Sequence, residues 1–338
     1  MSAPARLPIA SALAILLIAS PVSAEAQDAT AQGLVSAVLG WEAQHKLAKG
    51  AVVVMRGGEI VATGSMGSGD PAAPARFASL SKSITAICAA QLVAAERLTL
   101  ETPVGAVLGE TLDAIAAGTG VADITLGQLL SQSSGLANDP AQGEAMLAFA
   151  PFDEPRLEEQ AEIGLTQEVG EKVYGYNNLN YVLVGRMIEA VAQEPYQDYC
   201  SREVLTPLGI EDASLAPGWQ ALSAFGGWQM STLSFARFLD YYDPAKGLLP
   251  IPVDQWPAAE VGGGASYGLG ALYRQAGTGY NIWNIGAWTF DSDAGSASFG
   301  AYFAVLDPDL RVVVTFEPAL DDAARAALDQ AIGQALTP

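Results

Sequence analysis

The sequence is poor in the residues that metal and thiol chemistry use most. Its 338 residues include one histidine and two cysteines, and it contains no Cys-x-x-Cys pair. Because protein metal centres are built mainly from clustered cysteine, histidine and carboxylate ligands, we expect neither a metal site nor a cofactor. The single histidine, His45, falls near the end of a predicted helix. We therefore expect it to be a surface residue rather than a catalyst.

Positive charge is also scarce. The chain has 16 lysines and arginines against 37 aspartates and glutamates, which gives a formal net charge of −21. Nucleic acids and anionic membrane surfaces bind proteins through basic patches, so this charge balance argues against both as partners. It suits a soluble protein that acts on a small molecule.

Long apolar runs are missing except at the start of the chain. Residues 1–24 have Arg6 as their only charge, an apolar run from Ala10 to Ile18, and a small-x-small site at Val22-Ser23-Ala24. This pattern is typical of a secretory signal peptide, and the run is short for a membrane span. We expect cleavage after residue 24 and a periplasmic or secreted product without stable membrane insertion; an uncleaved anchor is the alternative.

The two cysteines, Cys88 and Cys200, each lie in an apolar helical context. An oxidising compartment would permit a disulfide between them. Nothing in the sequence brings the two helices together, so two separately buried thiols are the favoured prediction.

The hydrophobic period changes along the chain and predicts an α+β fold. Its outer parts (about 28–105 and 265–338) predict helices and alternating strands, whereas the middle (about 106–264) is mostly helical with long loops. Matching outer parts predict one antiparallel sheet built from both chain ends, flanked by helices, with a helical subdomain inserted in a single domain of residues 25–338. The main predicted elements are helices Ala29–Leu47, Ile84–Leu98, Val182–Val191, Leu233–Tyr242 and Leu320–Leu336, and strands Ala51–Met55, Glu59–Ala62, Tyr267–Tyr273, Tyr280–Trp288, Ser298–Leu306 and Arg311–Phe316.

The most informative stretch for chemistry begins at Ser79. It precedes the predicted helix Ile84–Leu98, and Lys82 follows three residues later on the same side. Unpaired N–H groups at a helix start favour negative charge on the serine oxygen, and a desolvated Lys82 amine could accept its proton. Taken alone, the pair could equally be a helix cap and a solvated lysine.

Other segments strengthen the case, because together they resemble the serine β-lactamase and penicillin-binding-protein superfamily on its class C and esterase side. The resemblance covers most of the chain after residue 24, and the order and spacing of the motifs are more specific than any one motif. The matching segments are Ser79-Leu80-Ser81-Lys82, Leu129-Leu130-Ser131-Gln132-Ser133-Ser134-Gly135-Leu136, Tyr176-Asn177-Asn178, Gly226-Gly227-Trp228-Gln229-Met230-Ser231-Thr232 and Asn284-Ile285-Gly286.

The resemblance implies a role for each matching residue. Ser79 would be the nucleophile that forms an acyl-enzyme, and Lys82 and Tyr176 would share the work of the base; the resting base could be either a neutral lysine or a tyrosinate. Asn178 would position the substrate and the Lys82 amine. The substrate would also meet Asn284 and Gly286, and the backbone N–H groups of Ser79 and Ala287 would form an oxyanion hole.

Two departures from the family pattern bear on the substrate. Asn284 stands where the third motif usually has a cation, and Gln132 replaces the usual histidine. The missing cation weakens the expectation of a carboxylate clamp. We therefore favour an esterase or amidase over a β-lactamase or D-Ala-D-Ala carboxypeptidase. A non-catalytic protein that binds an acyl or peptidoglycan-like ligand is a further alternative.

Three tryptophans are candidates for an apolar substrate wall. Trp283 and Trp288 bracket the third motif, and Trp228 lies in another predicted cleft loop. With a neutral Asn284 they would favour an uncharged acyl or alcohol group, unless they belong to the core.

A rival hydrolase interpretation fails on the missing histidine. Residues Gly264 to Gly268 fit the Gly-x-Ser-x-Gly pattern around Ser266. That site requires a histidine downstream of its serine, and no histidine follows His45. We therefore interpret Ser266 as a residue that leads into a strand.

Overall fold

The structure is a computed structural model that describes residues 29–115, 119–141, 143–150, 152–292, 295–306 and 309–336. The predicted signal peptide, residues 1–24, lies outside this range. The α-helices of the described residues are α1 (Ala29–Gln44), α2 (Ser81–Ala94), α3 (Val104–Ile115), α4 (Leu126–Leu130), α5 (Leu157–Leu165), α6 (Asn178–Ala192), α7 (Tyr196–Cys200), α8 (Ser223–Gly226), α9 (Thr232–Phe238) and α10 (Asp322–Ala335). The strands are β1 (Lys49–Arg56), β2 (Glu59–Gly67), β3 (Pro74–Arg76), β4 (Ser214–Leu215), β5 (Trp228–Ser231), β6 (Ala259–Gly262), β7 (Ala265–Gly268), β8 (Ala271–Ala276), β9 (Gly279–Ser292), β10 (Gly295–Leu306) and β11 (Leu310–Glu317).

One large antiparallel sheet joins the two ends of the chain, as predicted. Its strand order is β2-β1-β11-β10-β9-β8-β7-β6. The first strand of the chain pairs with the last along its whole length, for example Val52 opposite Val314. The prediction of an α+β fold with a sheet from both chain ends is therefore confirmed.

The centre of this sheet is buried on both faces, which explains the unbroken apolar run in β1. Val52 and Val54 pack toward α1 and α10, whereas Val53 and Met55 pack toward the helical part of the molecule. Successive side chains of a strand point to opposite faces, so both faces of β1 must be apolar. The fold therefore has three layers: the terminal helices α1 and α10, the large sheet, and the helical part of the molecule. No helix in the described ranges is both long and apolar enough to cross a bilayer.

The structure adds detail that the hydrophobic period did not predict. Strands β3, β5 and β4 form a second, three-stranded sheet, and β6 extends the large sheet from within the predicted helical region. The predicted single strand Tyr267–Tyr273 is instead the hairpin of β7 and β8. Its turn contains Leu269 and Gly270, both with positive φ. A Cβ at Gly270 would lie 2.4 Å from the carbonyl oxygen of Lys82. The turn therefore packs directly against the helix that carries Lys82.

The prediction of two separate thiols is wrong, because Cys88 and Cys200 form a disulfide with their Cα atoms 5.4 Å apart. Tertiary packing brings α7 against α2, a contact that no sequence pattern predicts. The same interface contains a hydrogen bond of 2.6 Å between the hydroxyls of Thr85 and Tyr196, about one helical turn from the disulfide.

This pairing can be checked by alkylation. We expect the denatured but unreduced protein to take up no iodoacetamide, because both sulfurs are bonded, and the reduced protein to take up two equivalents. Mass spectrometry measures both numbers. Two modifications before reduction would contradict the pairing. Since the bond spans 112 residues, the Cys88→Ala, Cys200→Ala double variant should lose about 3–4 kcal/mol of stability.

A buried carboxylic acid lies under the edge of the sheet. Glu42 of α1 is fully buried, and neither of its carboxyl oxygens has a hydrogen-bond partner. It fits because β1 has a glycine opposite it: a Cβ at Gly50 would lie 2.1 Å from Oε1 of Glu42. Burial raises the pKa of Glu42 from 4.5 to about 7. The folded protein therefore favours the neutral acid.

This residue should make stability depend on pH. Because the pKa is raised on folding, the wild type loses stability as the pH rises from about 4.5 to about 7, where the folded-state carboxyl ionises. We expect Glu42→Gln to gain stability relative to the wild type over that interval, on the order of 2 kcal/mol. Chemical denaturation at pH 5 and pH 8.5 measures the difference, and a constant difference would contradict a buried neutral Glu42.

Candidate active site

The predicted nucleophile lies on a tight turn. Ser79 is half-buried in a 3-10 turn, Ala78–Leu80, that runs directly into α2. Ala78 has φ of 47°, a conformation that is unfavourable for a residue with a side chain. Packing holds the turn in place: the Phe77 ring stacks on Phe235 at 4.3 Å, and the Phe77 N–H donates to the carbonyl of Trp228 at 3.1 Å.

Lys82 lies one turn further along and is fully buried. Its Nζ donates to Oδ1 of Asn178 at 2.7 Å, to the carbonyl oxygen of Phe225 at 2.8 Å, and contacts Oγ of Ser79 at 3.2 Å. The rings that enclose the amine are Tyr176, Tyr181 and Phe225, with centroids 4.9–5.8 Å from Nζ. Burial lowers the pKa of Lys82 from 10.5 to about 7, and the carboxylate of Asp139 opposes this shift.

These three contacts determine what the neutral amine can do. A neutral amine has two N–H bonds and one lone pair. The Phe225 carbonyl and Asn178 Oδ1 can only accept hydrogen bonds, so they take the two N–H bonds. The lone pair is left facing the hydroxyl of Ser79, where it can accept the serine proton.

Tyr176 completes the group, with its hydroxyl 2.8 Å from Oγ of Ser79. The side chain is 41% exposed, and its ring lies beside the Lys82 amine, with the centroid 4.9 Å from Nζ. Desolvation raises the pKa of the phenol above its ordinary value, although the hydrogen bond with Ser79 opposes the shift. The structure thus brings together the three residues that the sequence named as catalytic.

Gln132 holds the loop that carries Tyr176. Its main-chain carbonyl accepts from the N–H of Gly175 at 2.8 Å, and its side-chain Oε1 accepts from the N–H of Asn177 at 2.9 Å. Gln132 itself adopts a positive φ of 60° and is fully buried. The residue that departs from the family pattern therefore fixes the backbone on both sides of Tyr176.

Asn178 is buried in the first turn of α6. Besides accepting from Lys82, it donates from its main-chain N and from Nδ2 to Oδ2 of Asp139, at 3.0 and 2.9 Å. The predicted contact with the Lys82 amine is present. The predicted contact with substrate stays a prediction.

The segment Asn284-Ile285-Gly286, which matches the third motif of the family, lies against Ser79. A Cβ at Gly286 would lie 2.8 Å from the main-chain N of Ser79. The Asn284 side chain is buried and donates from Nδ2 to the carbonyl of Gly270 at 2.8 Å, with a longer contact of 3.5 Å to the carbonyl of Ser79. Its Oδ1 accepts from the N–H of Ile285 at 2.8 Å. Ala287 lies in the same groove as Ser79. Substrate contacts for Asn284, Gly286 and Ala287 stay predictions.

The groove at Ser79 has a volume of about 500 Å³ and two unlike walls. One wall, on β9, is mainly apolar and includes Trp283, Ile285 and Ala287; the other, on α10, is mainly charged. For the other two tryptophans the alternative of a place in the core holds. Trp228 is fully buried and donates to the hydroxyl of Tyr196 at 2.7 Å. Trp288 packs on the opposite face of β9 from Trp283, because the two positions differ by an odd number.

The charged wall contains Asp322, Arg325 and Asp329. Arg325 forms an ion pair with Asp322, and Asp329 accepts a hydrogen bond of 2.9 Å from the Tyr302 hydroxyl. Two carboxylates therefore accompany one guanidinium on this wall. No sequence motif pointed to Arg325. Its placement in the groove depends on packing between α10 and the sheet.

Sequence reasoning missed two partners of the site. The carbonyl of Phe225 has no sequence signature, because any residue supplies one. Asp139 lies four residues after Gly135, just beyond the matching segment that runs from Leu129 to Leu136, and only the fold brings it to Asn178. Among the described residues, no group of three or more histidines, cysteines or carboxylates could hold a metal ion.

The chain matches proteins of known families. A family model named Beta-lactamase matches residues 27–334. Penicillin-binding protein 4 of Amycolatopsis lactamdurans is 31% identical over 180 residues, which cover 51% of this chain and 42% of that protein. The match thus spans less than half the length of this relative.

Solved structures share the fold. A class C β-lactamase from Rhodobacter sphaeroides superposes with a TM-score of 0.70 at 15% identity, covering 91% of this chain and all of that one. A D-stereospecific amidohydrolase from a Streptomyces species superposes with a TM-score of 0.68 at 18% identity, covering 92% and 98%. At these identities the likeness concerns the fold alone.

The close approach of Gly286 to the nucleophile gives a test of the site. We expect Gly286→Ala to slow labelling of Ser79 by a fluorophosphonate at least about 10-fold, because the new methyl group must displace the Ser79 turn. The matched control is Gly279→Ala in the same strand, whose added Cβ would meet only one atom, at 4.0 Å. Equal labelling rates for the two variants, measured by mass spectrometry, would contradict the packing described here.

Proposed function

The chain belongs to the β-lactamase family, and we propose that it is an exported serine hydrolase that cleaves esters or amides through an acyl-enzyme on Ser79. The observation that carries this proposal is the position of Ser79 Oγ, which lies 3.2 Å from Nζ of Lys82 and 2.8 Å from the hydroxyl of Tyr176. A nucleophile within reach of two proton-transfer groups is the arrangement that covalent catalysis requires.

Lys82 is the better resting base of the two. Burial lowers its pKa to about 7, so a large fraction of the amine is neutral near pH 7. Burial shifts the pKa of Tyr176 in the opposite direction, away from tyrosinate. In acylation Lys82 takes the proton of Ser79 as its oxygen attacks the substrate carbonyl, and Tyr176 gives its own proton to the leaving group.

Deacylation reverses these transfers. The Tyr176 phenolate, next to the Lys82 ammonium, takes a proton from water, and the resulting hydroxide attacks the acyl carbonyl. Lys82 then returns its proton to Ser79 Oγ as the product acid leaves. The backbone N–H groups of Ser79 and Ala287 would stabilise the oxyanion, each worth on the order of 3 kcal/mol.

The charges of the groove favour an ester or amide substrate that has no carboxylate near the α10 wall. Its α10 wall holds two aspartates and one arginine, and that arginine is paired with Asp322. Arg311 is fully buried and paired with Asp240 and Asp243, so it offers nothing to a substrate. β-Lactams and D-Ala-D-Ala stems carry a carboxylate, which this wall would repel more than attract.

Two other functions compete with this proposal. The name of the matching family model favours a β-lactamase, with a D-Ala-D-Ala carboxypeptidase as the related alternative. The absence of a third-motif cation motivates a binding protein that becomes acylated without turnover. The intact arrangement of Ser79, Lys82 and Tyr176 supports a working enzyme over the binder. Export is supported by the disulfide between Cys88 and Cys200, since such bonds persist in oxidising compartments.

A paired assay separates the three functions. We expect the protein without residues 1–24 to hydrolyse p-nitrophenyl butyrate with a kcat/KM at least about 10-fold above that for nitrocefin, because the α10 wall disfavours carboxylates. Ser79→Ala should abolish both activities. Faster nitrocefin turnover would favour a β-lactamase, and a stoichiometric burst without turnover would favour the binder.

A further inference from the structure

Asp139 is a charged residue of the site for which the mechanism above has no role. Its Oδ2 accepts from the main-chain N and from Nδ2 of Asn178, at 3.0 and 2.9 Å. Its Oδ1 accepts from the N–H of Ala141 at 3.0 Å. Three N–H donors thus point at one carboxyl group, and one of them belongs to the first turn of α6, where the helix dipole favours negative charge. In all three contacts the carboxyl oxygens act as acceptors.

The contacts of Asp139 decide how the Asn178 amide is oriented. An ionised carboxylate can only accept, so it must face Nδ2 of Asn178. Oδ1 is then directed to the opposite side, where it accepts from Nζ of Lys82 at 2.7 Å. With the amide turned over, Nδ2 would face an amine that needs an acceptor. Asp139 therefore reaches Ser79 through a chain of two side chains, Asn178 and Lys82.

The electrostatic surroundings make Asp139 the charged group that acts on Lys82. The side chains around the amine include two phenols, Tyr176 and Tyr181, and burial raises the pKa of both, so they are neutral. Phe225 contributes a carbonyl and a ring. Arg325 acts on Tyr176 rather than on Lys82. The Asp139 carboxylate raises the pKa of Lys82, against the larger effect of burial.

We propose that Asp139 is a positioning residue of this active site: it fixes the Asn178 amide, through it aims the Lys82 amine at Ser79, and places a negative charge near that amine. This proposal rests on the proposed function of Ser79 and Lys82. Without the negative charge of Asp139, nothing on this carboxyl group would oppose the effect of burial on the Lys82 pKa, and the Lys82 amine would become neutral at lower pH. Without the fixed amide, the lone pair would be aimed less well and the rate would fall.

The test compares Asp139→Asn with the wild type by two independent readouts. The first is the titration of Lys82, followed by NMR of protein with 13C-labelled lysine and assigned with Lys82→Met. The second is the pH profile of kcat/KM for p-nitrophenyl butyrate. Removal of the negative charge should move both midpoints to lower pH by at least about half a unit. The plateau rate should also fall, by about 10-fold.

Two further variants make the result decisive. Asp70→Asn is the matched control, because Asp70 Oδ1 accepts from Ala72 N at 2.9 Å in the same kind of turn, without contact to Lys82. It should leave both midpoints unchanged. Asp139→Glu keeps the charge and should give midpoints between those of the wild type and Asp139→Asn. If Asp139→Asn fails to fold, as judged by circular dichroism, Asp139→Glu decides the question by the same two readouts.

The outcomes separate this proposal from the function it rests on. Unchanged midpoints in a folded Asp139→Asn, with stability or rate lowered at every pH, would mean a structural role and overturn the proposal. A wild type with no esterase activity would contradict the proposed function. The NMR titration would still decide whether Asp139 controls the protonation of Lys82.

Discussion

The site depends on one buried amine with three polar neighbours. Lys82 has no exposed surface, and within the described part of the chain the polar partners of its Nζ are Asn178 Oδ1, the Phe225 carbonyl and Ser79 Oγ. Burial of an isolated ammonium is costly, so the surroundings favour the neutral form. The same burial that costs folding energy prepares the group to remove a proton from Ser79.

Most of the nearby architecture serves to hold this amine and its partners in place. The β7–β8 turn packs on the backbone of Lys82, and Gly286 of β9 packs on the backbone of Ser79. Gln132 accepts hydrogen bonds from the main chain on both sides of Tyr176, at Gly175 and at Asn177. These contacts come from the sheet and from the helical part alike. The site therefore exists only where the two parts of the fold meet, which is a usual place for a ligand.

The two walls of the groove differ in their chemistry. An apolar wall follows β9, while α10 presents Asp322, Arg325 and Asp329. Asn284, where the family usually has a cation, donates instead to the carbonyl of Gly270. The neutral side chain thus secures the β7–β8 turn that packs on Lys82.

The sequence by itself determined the fold class and the three central residues of the candidate site. The apolar run of β1 and the apolar patterns of β9 to β11 marked the sheet, since a buried strand must show apolar side chains on its covered faces. Ser79, Lys82 and Tyr176 were identifiable because their chemistry restricts the residue type at fixed positions in known motifs. The absence of any histidine after His45 also sufficed to exclude a histidine-dependent hydrolase around Ser266.

Only the tertiary structure decided which distant groups meet. The disulfide, the contact of Asp139 with Asn178, the Phe225 carbonyl on Lys82 and the place of Arg325 in the groove all join residues that are far apart in the chain. No local pattern encodes such pairs, because they arise from how helices and strands pack rather than from their own period. Trp228 illustrates the limit: its motif was recognised, but whether it lined a cleft or filled the core depended on neighbours that the sequence does not name.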